Sequence, residues 1–274
     1  MLILDYNFPR CFVEIRLNGL PALNKAYEGI GAGSTPVNEF LVTGKNNIEV
    51  LAFPYIDVDD LSNADLAPTS FDKEISLNLR ERGVETPLAA VELTKEDYIY
   101  RNDYRAFYWQ GVFQWSKTDI TPFLNKLDFI RDNNQIIEFA NFYLHSIKFA
   151  NSSVLTKLLD LKASIIELSY SENKDKYIKN YFRIWNNKIV ARGGLYYENY
   201  NIDQILILDY LNSHYKALYA KRPETDRIAE AIPSLAPHLL PKEKGVISKK
   251  SKINTYYKDS INVIFTNGEY KLFI

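Results

Sequence analysis

Three histidines, one cysteine, a glycine-rich stretch and an acidic run are the residues whose chemistry must be weighed first. His145, His214 and His238 lie too far apart for an HxH or HExxH ligand pair on one local element, which speaks against a zinc site. His145 falls inside an expected helix, where a structural or surface role is the simpler assignment. Cys11 stands in FPRCFVEIRL, whose alternating apolar positions suit a strand with a small buried thiol better than a nucleophile. A single cysteine forms neither an internal disulfide nor a thiolate metal site, and this usage fits a reducing cytoplasm.

Gly29-Ile30-Gly31-Ala32-Gly33-Ser34 invites a phosphate-loop reading, because consecutive glycines let backbone amides approach an anion. The third glycine of GxGxxG would fall on Ser34, however, and Pro36 with a strand follows instead of a helix. Nor does Ser34 sit in a GxSxG elbow. Asp57, Asp59, Asp60 and Asp65 space carboxylates as a calcium loop does, without its turning glycine or closing glutamate. From 55 to 74 six acids face only Lys73, so this stretch reads as a solvated loop or an anionic docking surface. The aromatic run Tyr98, Tyr100, Tyr104, Phe107, Tyr108, Trp109, Phe113 and Trp115 offers stacking faces and interface anchors. Alternation buries about half of it: Phe107, Trp109 and Phe113 are expected in the core and the tyrosines on the open side. No acid–base pair, metal set or cofactor motif converges, so no enzyme activity and no cofactor is expected. The candidate partner-binding residues are Asp57, Asp59, Asp60, Asp65, Tyr98, Tyr100, Tyr104 and Tyr108.

The elements that must position these residues divide at about Trp115. Before it, short alternating runs are separated by Gly, Pro, Asn and Asp clusters, as in FVEIRL, the run from Val37 to Phe53, KEISLNL, 89–93 and 106–115. Asn18-Gly19 supplies the two positive-φ positions of a type I′ hairpin. After Thr121-Pro122, helical spacing governs 134–150, 153–170 and 174–185, and strand texture returns at 204–209, 214–221, 259–266 and 269–274, the last pair joined by Asn267-Gly268. Between them, residues 237–258 hold six lysines against Glu243, the pattern of a solvated loop first and of half an electrostatic partner surface second. The expected fold is two domains: an all-β, jelly-roll-like sandwich over 1–118, then an α+β domain over 119–274 with helices against an antiparallel sheet.

At 274 residues, 46% of them hydrophobic, the chain is long enough for two cores. With 33 basic and 34 acidic side chains it carries no field to steer it onto nucleic acid or an anionic membrane. MLILDYNFPR is broken at once by Asp5 and Asn7, and no run of eighteen apolar residues occurs, so a soluble cytoplasmic protein is expected.

IRLNGLPALNKAYEGIGAGSTPVNEFLVTGKNNIEVLAF resembles the jelly-roll sugar-binding domain of β-galactosidase-type hydrolases. It resembles more strongly the amino-terminal β-sandwich of bacterial immunity proteins encoded beside type VI secretion or Rhs-type effectors. Asn18, Gly19, Pro21, Pro36, Asn38, Phe40, Leu41, Gly44 and Asn46 are the matching positions, all of turn or packing type. The second half looks like a nuclear-transport-factor-like cone by element order. The resemblance implies an antitoxin that blocks a cognate effector toxin stoichiometrically. The alternatives are a small-molecule binder or enzyme using a pocket in the α+β domain and, third, a carbohydrate-binding module. Against the sugar-binding comparison, neither an attached hydrolase barrel nor an export signal is expected.

Overall fold

The computed structural model describes residues 1–8, 11–26, 31–54, 75–101, 104–148, 152–188, 195–196, 199–220, 238–239 and 261–273. It is β-rich with a few helices, and the chain divides into two compact units, Met1–Thr121 with Arg227–Glu230, and Pro122–Asp226 with Ala231–Ile274.

The first unit holds two antiparallel sheets. One is four-stranded, in the order β4-β1-β6-β7, from β1 (Leu2–Asn7), β4 (Ala32–Pro36), β6 (Ile75–Glu81) and β7 (Ala89–Leu93). The other is five-stranded, in the order β3-β2-β5-β9-β8, from β2 (Cys11–Leu17), β3 (Leu20–Ala26), β5 (Gly44–Pro54), β8 (Tyr98–Arg101) and β9 (Tyr104–Trp115). Period-two alternation gives each sheet one buried face. Leu2, Leu4, Ile75, Leu77 and Leu79 line the first; Val13, Ile15, Ile48, Val50, Phe107 and Phe113 line the second.

β1, whose Leu2, Leu4 and Tyr6 alternate inward, is a central strand that precedes the runs from Cys11 onward. Its polar Asp5 is accommodated because Ser34 and Arg80 on the two neighbouring strands both donate to its carboxylate, Arg80 Nε at 2.5 Å. On the edge strand β4, Gly33 leaves room for the Tyr6 ring: a Cβ there would lie 2.6 Å from the Tyr6 hydroxyl oxygen. The glycine-rich connection is therefore, in its described part, a strand covered by an aromatic ring.

The segment between β4 and β5 is pinned by three asparagines. Asn38 Oδ1 accepts the Leu2 amide at 2.6 Å. Fully buried Asn46 donates to the carbonyls of Val42 and Gly44 and accepts from the Val42 amide and from Asn18 Nδ2. Asn18 and Gly19 take φ of 53° and 78°, the hairpin geometry expected of them. Asn18, Gly19, Asn38 and Asn46 thus do bending and hydrogen-bonding work here.

The second unit contains α1 (Thr121–Leu124), which opens at the boundary, α2 (Asn133–Lys148), α3 (Ser152–Tyr170) and α4 (Lys174–Lys188). Asp132 Oδ1 receives the Asn134 amide near the start of α2, and Asn173 Oδ1 receives the Lys176 amide at the start of α4. A two-stranded ladder joins β10 (Leu195–Tyr196) to β13 (His238–Leu239). The main sheet runs β11-β12-β14-β15, from β11 (Ile205–Tyr210), β12 (Tyr215–Ala220), β14 (Ile261–Thr266) and β15 (Glu269–Leu272). Its Leu218, Ile261, Val263 and Leu272 form one apolar cluster with Ile136, Ala140, Tyr143, Leu144 and Ile147 of α2 and Leu155 and Leu159 of α3. Asn267-Gly268 closes β14 on β15 at φ of 52° and 78°.

Candidate functional site

On the face of the five-stranded sheet opposite Val13, Ile15, Ile48 and Val50, Glu14, Leu51 and Ala106 are buried and Val112 is exposed, and register decides what stands together there. Glu14 on β2 is opposite Leu51 on β5, which is opposite Tyr108 on β9; one row on, Arg16, Glu49 and Gln110 align across the same three strands. Same-face neighbours at this spacing interact directly. Arg16 Nε donates to the Glu14 carboxylate, and a second guanidinium nitrogen lies 3.8 Å from Glu49. Tyr108 donates its hydroxyl to Gln110 at 2.8 Å and lies 3.4 Å from the Glu49 carboxylate.

Five polar side chains from three strands therefore form one connected patch with two carboxylates to one guanidinium. Glu14 is only 5% exposed, while Val112 is 52% exposed opposite Asn47 on the same face. Because the network already holds the rotamers, a partner docking here loses less side-chain entropy than on loose residues. Tyr and Arg beside an exposed apolar residue also suit an interface anchor.

The tyrosines expected on the open side separate by register. Tyr108 stands in the patch. Tyr98 pairs with Phe107, whose face is the buried one, so it is 7% exposed with ring centroids 5.0 Å apart. Its ring is committed to the core. Trp109 shares that buried side, lying over Gly111. Tyr100 lies in β8 and Tyr104 opens β9, with side chains outside the described set. Asp57, Asp59, Asp60 and Asp65 lie outside the described residues, as does most of the lysine-rich stretch 237–258. Glu14, Arg16, Glu49 and Gln110 escape a linear reading, because only the pairing of β2, β5 and β9 brings them together.

The other reactive side chains have local structural partners. Cys11 is buried, and desolvation raises its thiol to about 12, the environment of an inert cysteine. His145 Nε2 bonds Asn199 Oδ1 at 2.6 Å; His214 Nδ1 lies 2.7 Å from the Leu211 carbonyl, its ring edge-on to Phe129. The Asn141 amide clips the Tyr200 backbone in both directions.

A second polar cluster sits at the β11–β12 turn, where Leu211, Asn212 and Ser213 all take positive φ, at 50°, 52° and 67°. Three successive non-glycine residues in that region are uncommon and cost conformational energy. Lys216, 4% exposed, donates to the half-exposed Asp209, which also receives the Ser213 hydroxyl at 3.2 Å; burial lowers the lysine's affinity for its proton. The turn is also tied to the segment before α2 by the Ile130 amide donating to the Ser213 carbonyl.

Among the described residues, no group of three or more His, Cys, Asp or Glu is placed to hold a metal ion, and no helix is long and apolar enough to cross a membrane. No protein-family model, no curated protein and no solved structure matches this chain.

Proposed function

We propose that this chain is a cytoplasmic immunity protein that binds a cognate secreted antibacterial toxin, of the type VI secretion or Rhs kind, and neutralises it by stoichiometric occlusion. The fold that accompanies this reading is a jelly-roll-like sandwich followed by a nuclear-transport-factor-like cone. The observation that carries it is the ordered Glu14–Arg16–Glu49–Tyr108–Gln110 patch beside exposed Val112. Such a patch can bind without rearranging, and its excess of carboxylate favours a basic partner and faster capture. Supporting it, the space between α2, α3 and the sheet is filled by apolar side chains, which suits a scaffold more than a reaction chamber.

The test is co-expression with the toxic product of the adjacent reading frame. Rescue of growth and co-purification of a one-to-one complex are expected. The double variant Tyr108→Ala/Gln110→Ala, which leaves the buried Glu14–Arg16 pair intact, should weaken that complex at least tenfold while its thermal unfolding stays within a few degrees of the parent. Absence of both rescue and complex removes the immunity reading. An unaffected complex in the double variant moves the interface elsewhere, with the acidic 55–74 segment as the next surface.

A further inference from the structure

A cavity of about 130 Å³ lies in the second unit, lined by Phe123, Lys126, Leu161, Ile264, Thr266, Asn267 and Lys271. Ile264 and Lys271 are cross-strand partners on β14 and β15, so they share a face with Thr266. Val263 and Leu272 point the other way, into the cluster packed on α2 and α3. The cavity is thus on the far side of the sheet from that core. α3, which packs along the edge strand β15, brings Leu161 to it.

The burial gradient orients the cavity. Ile264 and Thr266 are buried and form its floor; Phe123 and Leu161 are half-buried walls; Lys126 and Asn267 are exposed and Lys271 partly so, placing them at the mouth. The floor is less polar than its composition suggests, because the Thr266 hydroxyl donates to the Lys126 carbonyl at 2.7 Å and is thereby occupied. The same bond, with the Asp128 amide donating to the Phe265 carbonyl at 2.8 Å, holds the 123–128 wall against β14.

Volume decides what fits. Pockets for nucleotides and drug-sized ligands run from about 300 Å³ upward, so those are too large. An engineered apolar cavity of about 150 Å³ takes up benzene, which makes one ring the matching size. The half-buried Phe123 ring offers an edge or face to such a guest. Lys271 Nζ lies 3.6 Å from the mostly exposed Glu269 carboxylate, longer than a direct hydrogen bond. Lys126, an exposed lining residue with no ion pair among the described residues, supplies a cation for a guest's anionic group.

From this geometry we infer that the cavity binds a single-ring aromatic carboxylate, its ring against Phe123, Leu161 and Ile264 and its carboxylate between Lys126, Lys271 and the Asn267 amide. This site is independent of the toxin-binding reading and would stand if that reading failed.

The probe is benzoate, titrated into the full-length protein and followed by methyl NMR at Leu161 and Ile264, with benzyl alcohol and acetate as comparisons. Saturable shifts with benzoate, weaker binding of benzyl alcohol and none of acetate are expected. The surface variant Lys126→Met/Lys271→Met should lose about tenfold in benzoate affinity while benzyl alcohol is unaffected. Leu161→Trp, which fills the cavity, should abolish both. No saturable benzoate shift in the parent protein overturns the proposal. So do acetate binding as tight as benzoate, and lysine variants that bind benzoate unchanged. Because the lysine positions are solvent-facing, that outcome is readable even if Leu161→Trp does not fold.

Discussion

Asn18 Nδ2 donates to Asn46 Oδ1 across 2.7 Å, joining the tip of the β2–β3 hairpin to the turn that feeds β5. Asn18 also donates to the Phe40 carbonyl and accepts the Asn47 amide, while Asn46 closes the 42–46 turn on itself. Two side chains separated by 28 residues thus satisfy backbone groups that sheet pairing leaves over.

Asn46→Ala should therefore cost about 2–4 kcal/mol, because it leaves several buried backbone groups without partners. Asn46→Asp should cost more, since a carboxylate cannot donate to the Val42 and Gly44 carbonyls and would be buried with its charge. Urea denaturation of the two variants measures both. Equal stability of Asn46→Ala and the parent would contradict the network's role.

Gly111→Ala should destabilise by about 1–3 kcal/mol, because the added Cβ would overlap the Trp109 ring. Trp109→Leu on its own should also destabilise, by loss of packing. In the double variant the overlap is gone, so the two costs should fall short of additive, and a thermal-unfolding double-mutant cycle reads that coupling.

Lys216 and Asp209 should respond unequally to substitution. Asp209→Ala strands a buried ammonium and should cost about 1–2 kcal/mol, discounted because the carboxylate is half exposed. Lys216→Met leaves only a solvated carboxylate and should be close to neutral. The sign with pH follows from the lowered proton affinity of the folded lysine. The unfolded lysine holds its proton up to its ordinary 10.5, so the parent should gain stability as pH rises toward that value. Lys216→Met should lack that gain in chemical denaturation followed from about pH 8 to 10.5.

Acid should weaken the first unit through two carboxylates. Hydrogen bonds from Thr121, side chain first and then backbone, hold Asp119 below its ordinary 3.8; the hydrogen bond from Lys117 holds Glu81 below its ordinary 4.5. Unfolded carboxylates bind protons first as pH falls, so both contributions are present above those ordinary values. They are lost on the way down through the lower folded-state values. Thermal scans between about pH 5 and 2.5 should show a shallower decline for Asp119→Asn than for the parent. A parallel decline would mean Asp119 plays no part in it.

Local chemistry was legible along the chain. Asn18-Gly19 and Asn267-Gly268 adopt the left-handed geometry their types favour, because a hairpin turn is decided by two residues and their φ angles. The periodicity of 134–150, 153–170 and 174–185 marks α2, α3 and α4 to within a few residues, since a helix closes its hydrogen bonds within its own segment. Tertiary structure decided the rest. Leu2–Asn7 becomes a central strand because β4 and β6, distant in sequence, pair on its two sides, and Ser34 and Arg80 from them meet Asp5. Tyr98 turns inward and Tyr108 outward because of which residues of β9 and β5 they oppose. Arg16, Glu49 and Gln110 align across three strands far apart in sequence. Strand register is a long-range choice, and a slip of one residue exchanges the two faces of a sheet. Turns and helices are therefore written in neighbouring residues, whereas the patch exists only once distant strands have paired, and the cavity only once residues 123–126 and α3 have packed against the β14–β15 hairpin.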